Sequence, residues 1–143
     1  MTSLNFQQQH GQLILRGDKT HTIRAQRKRP IRPDEPLELF TGLRTCSVVR
    51  LFDTHCTKVE PIAIYTLSMD QFLYGDDCRK YCPGDNIVEL SGEKLLPHRV
   101  RELALADGFE SVYEFFRFFL TNDHWQDRGN MGQLIHWAFP PTR

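Results

Sequence analysis

From Leu13 to Arg24 the chain reads L-I-L-R-G-D-K-T-H-T-I-R. Arg16, Lys19 and Arg24 bracket a Gly17-Asp18 turn, and Thr20 and Thr22 lie among them. Cations and small hydroxyl side chains at a turn beside a strand can cradle an anion or a nucleotide. The cations supply charge-assisted hydrogen bonds, and the short side chains leave room for the ligand. The rest of the chain has to hold this stretch and supply a partner acid.

The flanking elements follow from the pattern. Gln7 to Arg16 is expected to form a helix with Leu13 and Ile14 turned inward, weakened by Gly11. Gly17-Asp18 ends it, because glycine tolerates the backbone angles of a helix end. Thr20 to Ala25 has strand character. Alternation then puts Thr20, Thr22 and Arg24 on one face and His21 and Ile23 on the other. Lys19, at the mouth of the turn, has a stem long enough to reach the Thr22 side. Gln26 to Pro36 is a basic loop with Arg27-Lys28-Arg29-Pro30, then Pro33 and Pro36. It reads either as a solvated connection or as a phosphate-steering flap.

Leu4 and Phe6 begin a short N-terminal strand. Leu37 to Thr41 and Cys46 to Phe52 are strands separated by a turn at Gly42-Leu43-Arg44-Thr45. Asp53-Thr54-His55 reads as a hairpin connection into a strand from Lys58 to Leu67, with Pro61 arguing for an edge or a bulge. Ser68 to Pro83 carries no clear pattern. Pro83 to Asn86 is a turn, Ile87 to Leu90 a short strand, and Ser91 to Lys94 a second turn. Arg99 to Ala106 reads as a helix ended near Asp107-Gly108. Ser111-Val112-Tyr113-Glu114 is a capping-box pattern opening another helix. The helical spacing of Val112, Phe115, Phe116, Phe119 and Leu120 marks core packing. Asn122 to Gly132 is polar, and Gln133 to Phe139 closes the chain as a strand. The expectation is an α+β protein: one domain over residues 1–143, a small, partly open β-barrel with two or three helices across its ends.

The chain has 143 residues, 40% of them hydrophobic, with 10 Phe, enough for a real core. Formal net charge is zero, with 18 Lys and Arg against 18 Asp and Glu, so no whole-molecule attraction to nucleic acid is expected. Between Arg16 and Arg32, however, stand seven Lys or Arg and one Asp, a local charge of +6. A basic segment on a neutral protein points to a confined anion site rather than a wide duplex-binding face. No apolar run reaches membrane-spanning length and no leader pattern opens the chain, so cytoplasmic placement without membrane contact is expected. The four cysteines, Cys46, Cys56, Cys78 and Cys82, are then expected to be thiols. Cys78 and Cys82 have no second tight pair to complete a zinc site, and the six histidines lack ligand spacing. Neither metal nor cofactor is expected.

The run Gly17-Asp18-Lys19-Thr20-His21-Thr22-Ile23-Arg24 resembles the G-x-K-x-x-T-x-R signature of the ASCH family. Three further stretches agree: Phe40 to Thr45, Asp107-Gly108-Phe109 before the Phe-rich helix, and Leu134-Ile135-His136-Trp137. The resemblance implies a PUA-like β-barrel with a cleft for RNA or a nucleoside. Some small bacterial members of the family remove the acetyl group from N(4)-acetylcytidine, and other relatives are linked to RNA cleavage or to transcription coactivator complexes. Carried over residue by residue, the amidohydrolase roles fall on Lys19 as proton acceptor and Thr22 as nucleophile. The family's acid is a Glu on the later helical segment. Here Asp107 is the nearest match, with Glu110 and Glu102 as the other candidates. Arg16, Arg24 and Arg44 would contact the substrate.

The chemistry is coherent. A threonine hydroxyl needs a base to activate it, a lysine serves as that base only when neutral, and an acid must protonate the departing amine. Plainer roles stand beside it. Lys19 and Arg24 alone could bind a phosphate or base carbonyl without chemistry. Thr22 is also an ordinary strand residue, and Asp107 can end a helix and bond local amides. Arg44 can pair with an acid or touch a phosphate. Tyr74 and Trp125 read as packing residues more readily than as base-stacking ones. The expected partner is therefore RNA or a modified nucleoside. The activities to separate are binding alone, deacetylation of N(4)-acetylcytidine, and RNA cleavage.

Overall fold

The computed structural model describes residues 2–67 and 83–140. Seven strands run in chain order: β1 (Thr2–Phe6), β2 (His21–Ala25), β3 (Pro36–Thr41), β4 (Val49–Thr66), β5 (Asn86–Leu90), β6 (Glu93–Lys94) and β7 (Met131–Trp137). Among the described residues four helices accompany them: α1 (Gly11–Arg16), α2 (Pro97–Ala106), α3 (Val112–Leu120) and α4 (Asp123–Asp127). Cys78, Cys82 and Tyr74 lie outside the described residues.

Alternation sets β1: Leu4 and Phe6 are buried, while Ser3 and Asn5 face outward. β1 runs parallel to β3, with Leu4 opposite Leu39. β3 pairs antiparallel with β4, β4 with β5, and β5 with β6. β7 also pairs with β4, and β2 pairs with β7. The result is an α+β protein with a mixed seven-strand sheet. The sheet is not closed into the expected barrel: among the described residues β1, β2 and β6 each have one partner strand.

The physical reason lies in β4. Its 18 residues take β3 along Val49 to His55 and β5 along Ile62 to Thr66. One long shared strand replaces the two strands and hairpin expected at Asp53-Thr54-His55. Those three residues stay in the ladder opposite Glu38, Leu37 and Pro36. Thr54 is buried, and its hydroxyl donates to the Ala138 carbonyl at 2.8 Å. A polar triplet whose hydroxyl is satisfied this way has no need to turn into solvent.

The helices depart from expectation in smaller ways. A 3₁₀ turn at Gln8–His10 shortens α1, which buries Ile14 fully and Leu13 only partly. α2 starts at Pro97, a residue pre-set for the first helical position. Ser111 caps α3 by accepting the Glu114 amide at 3.1 Å, and Phe115, Phe116, Phe119 and Leu120 are buried. α4 was hidden in a polar stretch. Asn122 Oδ1 caps it through the Trp125 amide, and Trp125 is buried with its indole N–H donating to the Ile64 carbonyl at 3.0 Å.

The chain forms two compact units, each discontinuous in sequence. The first comprises Met1–Thr22, Arg29–Val59 and Leu134–Arg143; the second comprises Ile23–Lys28 and Glu60–Gln133. Leu4, Phe6, Ile14, Leu39, Cys56 and Trp137 sit at the core of the first. In the second, Phe119 packs against Phe115 at 5.2 Å and Trp125 at 4.9 Å between ring centroids, with edge geometry. Cys46 is exposed and Cys56 buried, both as free thiols, and burial pushes the Cys56 thiol up from its ordinary value. No helix among the described residues is long and apolar enough to cross a membrane.

Candidate functional site

In the first unit the site begins where α1 stops. Gly17 takes a left-handed φ of 83°. Its amide donates to the Ile14 carbonyl at 3.2 Å and the Asp18 amide donates to Leu13 at 2.8 Å, the paired bonds of a Schellman turn. The Lys19 amide also reaches the Leu13 carbonyl, at 3.1 Å. The chain therefore reverses sharply and fixes the Lys19 backbone just before β2. The Lys19 side chain is only 2% exposed, and its Nζ lies 6.0 Å from the centroid of the Phe6 ring. That is the outer range of a cation–π contact. Phe6 in turn meets Trp137 edge-on at 5.5 Å. Thr22, within β2, is 5% exposed.

In the second unit Arg24 continues β2 and is half-buried. Its guanidinium pKa is lowered to about 10: burial is the largest cause, the charge of Asp107 opposes it, and Arg27 adds to it. Asp107 caps the C-terminus of α2 and is 5% exposed. The Gly108 and Phe109 amides donate to the Leu105 and Ala104 carbonyls at 3.1 and 3.0 Å. The turn they make brings Phe109 against Phe115 at 5.4 Å. A carboxylate here meets the negative end of the helix dipole and loses water as well, so the attraction of Arg24 offsets two unfavourable terms.

Six polar side chains are buried among the described residues: Lys19, Thr22, Thr41, Thr54, Asn86 and Asp107. Only Lys19 and Asp107 of these are ionisable at neutral pH. Apart from half-buried Arg24, the other candidates are exposed. Arg16 forms a surface pair with Asp18 at 3.2 Å, and such pairs contribute about 0–1 kcal/mol. Arg44 occupies the left-handed region at φ 69° in the turn after β3 and is solvent-facing. Glu102 sits 3.9 Å from Arg99 on the outer face of α2, and Glu110 is also exposed. Of the three candidate acids, Asp107 alone is buried.

One feature in each unit had no local signal: in the first, Phe6 beneath the Lys19 ammonium; in the second, the charge of Asp107 felt at Arg24. Each joins residues far apart in the chain. Among the described residues no cluster of three His, Cys, Asp or Glu side chains could hold a metal ion. A cleft of about 360 Å³ opens in the second unit beside the β5–β6 hairpin, with Glu60, Glu93, Lys94 and Arg99 among its walls. None of the six residues singled out in the sequence lines it. No family model, curated protein or solved structure matches this chain.

Proposed function

We propose that this chain is an ASCH-like protein that binds RNA or a modified nucleoside, with the Lys19–Arg24 stretch as its recognition segment. One observation carries the reading. The three residues to which the resemblance gives chemistry, Lys19, Thr22 and Asp107, are all buried. Lysine and aspartate are almost never fully buried without a partner. Taking an ion out of water costs several kcal/mol before any pairing, so a fold that buries two of them does so against that cost. An ammonium on an aromatic face, with a threonine hydroxyl two residues into the following strand, suits a carbonyl or phosphoryl oxygen that brings acceptors and no protons. The open sheet departs from the β-barrel that the resemblance implies. The reading therefore stands on these side chains and not on sheet closure.

The same burial favours a second reading, deacetylation of N(4)-acetylcytidine. Thr22 Oγ1 would bond to the acetyl carbon as neutral Lys19 takes the hydroxyl proton. The C–N bond would then break with a proton delivered to the cytosine nitrogen, Asp107 being the acid the resemblance assigns, and water would release acetate.

One set of incubations tests both readings. Wild-type protein, Lys19→Ala and Thr22→Ala are mixed with N(4)-acetylcytidine, with cytidine and with a labelled single-stranded RNA. Binding weakened at least about tenfold in Lys19→Ala, the loss expected for a charge-assisted hydrogen bond, supports recognition. Cytidine release lost in both variants makes the protein an amidohydrolase. RNA shortening lost in the same variants makes it a nuclease. No binding and no turnover by the wild type ends the proposal.

A further inference from the structure

Within the first unit, the end of β7 carries a donor that the fold leaves unmet. Trp137 is 3% exposed, and its indole N–H has no acceptor among the described residues. A buried indole N–H usually finds a partner, and leaving one unbonded costs about 1–3 kcal/mol. The backbone around it is fixed. The Trp137 amide donates to the Thr20 carbonyl at 3.1 Å, and the Ala138 amide to the His55 carbonyl at 3.1 Å. The Ala138 carbonyl accepts from the Thr54 hydroxyl at 2.8 Å. The indole packs edge-on against Phe6, with ring centroids 5.5 Å apart, and Lys19 Nζ lies 6.0 Å from the centroid of the same Phe6 ring. His21 and His136 meet across the two strands at 5.5 Å, so alternation turns their neighbours Thr22 and Trp137 together to the other face. Lys19, Thr22 and Trp137 all belong to the first unit. Phe139, two residues beyond Trp137, lies against Gly17, two residues before Lys19, and is 43% exposed.

We propose that Trp137 is a specificity-determining residue of the Lys19–Thr22 site, its indole N–H taking the ring carbonyl oxygen of a nucleobase. The inference rests on the proposed function and narrows its ligand to bases that carry such a carbonyl, which sets adenine aside. The donor is neutral and stands in an apolar wall. A neutral carbonyl oxygen enters that wall at less cost than a phosphate, whose lost hydration one uncharged donor does not offset. The flat rings of Phe6 and Phe139 on either side suit a planar ligand. The fold holds the indole in place before any ligand arrives, so the bond forms with little ordering cost. The exposed ring of Phe139 marks the side from which the base enters. A site that buries a donor for one oxygen rejects an analogue without it, because the donor then stays unpaired.

The test follows the two indole N–H protons of the full chain by magnetic resonance, with the tryptophan nitrogens isotopically labelled and Trp125→Phe assigning the signals. The probes are cytidine, 2-thiocytidine, adenosine and ribose 5-phosphate. Cytidine is expected to move the Trp137 proton downfield and to leave the Trp125 proton in place. Adenosine and ribose 5-phosphate should leave both where they are. A second measurement replaces Trp137 by 3-benzothienylalanine, which keeps the fused rings and has sulfur where the N–H was. Wild type should bind cytidine about five- to tenfold more tightly than 2-thiocytidine, whose sulfur is a poor acceptor, and the replacement should abolish that preference. Because the proton shifts are read on wild type, a replacement that folds poorly does not spoil the test. Cytidine binding with the Trp137 proton unmoved overturns the inference and leaves the proposed function standing, the indole then being met by a structural water. An equal shift with ribose 5-phosphate or adenosine also overturns it. Failure of the wild type to bind any nucleoside or RNA removes both.

Discussion

Asp107 and Arg24 make a coupled problem at the scale of single residues. The arginine is half-buried with its pKa brought down to about 10, mainly by lost hydration, and the aspartate's charge works against that loss. A base whose folded pKa is depressed weakens the fold while it is charged, here at every pH below about 10. That cost is relieved only as pH rises from there towards the ordinary arginine value. Removing the carboxylate leaves the guanidinium uncompensated. Asp107→Ala should cost about 1–3 kcal/mol, the usual range for leaving a partly desolvated charge without its attraction. Arg24→Met on top of Asp107→Ala should recover part of that loss, because the stranded charge goes too. Urea unfolding of the two single variants and the double variant, followed by circular dichroism, measures the coupling. Additive losses would mean that the two residues stabilise the protein independently.

Among the elements, the Schellman turn after α1 carries the sharpest constraint. A Cβ on Gly17 would lie 2.5 Å from Phe139 Cε1, and φ is 83°. Gly17→Ala should cost about 1–2 kcal/mol from the left-handed backbone alone, with a further loss from the ring. Phe139 is 43% exposed and can move, so Phe139→Ala should relieve the steric part and leave the backbone part. Thermal unfolding of the single and double variants separates the two. Gly132 is constrained differently: a Cβ there would sit 2.0 Å from the Arg24 carbonyl oxygen, which is backbone and cannot swing aside. Signals of this local kind were readable in advance. The Gly17 stop, the Ser111 cap, the alternation of β1 and β3 and the phenylalanine face of α3 all belong to short windows. The 18-residue β4 was not readable, because Asp53-Thr54-His55 carries turn-like residues. What keeps it extended is pairing with β3 and a bond to Ala138, 84 positions from Thr54. Openness of the sheet is hidden for the same reason. For the candidate residues, types and order were legible, whereas the burial of Lys19, Thr22 and Asp107 was not, since burial depends on distant segments, as Phe6 shows at Lys19.

On the scale of the whole molecule, each unit is assembled from separate stretches of chain, and β2, β4 and β7 each pass from one unit to the other. The largest continuous piece of the second unit, residues 60–133, carries α2, α3 and α4 but lacks residues 23–28. Expressed alone, that piece would present Asp107 without Arg24, and the Met131–Gln133 end of β7 without β2, one of its two partner strands. It should give a poorly dispersed amide spectrum and no sharp thermal transition. A well-dispersed spectrum would mean that the helical layer folds without its β2 segment. The whole chain's zero formal charge sets the scale for its basic loop as well, because steering by the loop must act locally rather than through a long-range field.

The protein has two tryptophans, and they divide between the units: Trp137 in the first and Trp125 in the second. Both are buried, but the Trp125 indole donates to a carbonyl, whereas the Trp137 indole nitrogen has no acceptor among the described residues. Each unit thus carries its own intrinsic fluorophore in a distinct polarity. Replacing either one by phenylalanine leaves a protein whose emission reports on one unit alone, so loosening of one half can be followed by light without attaching any dye.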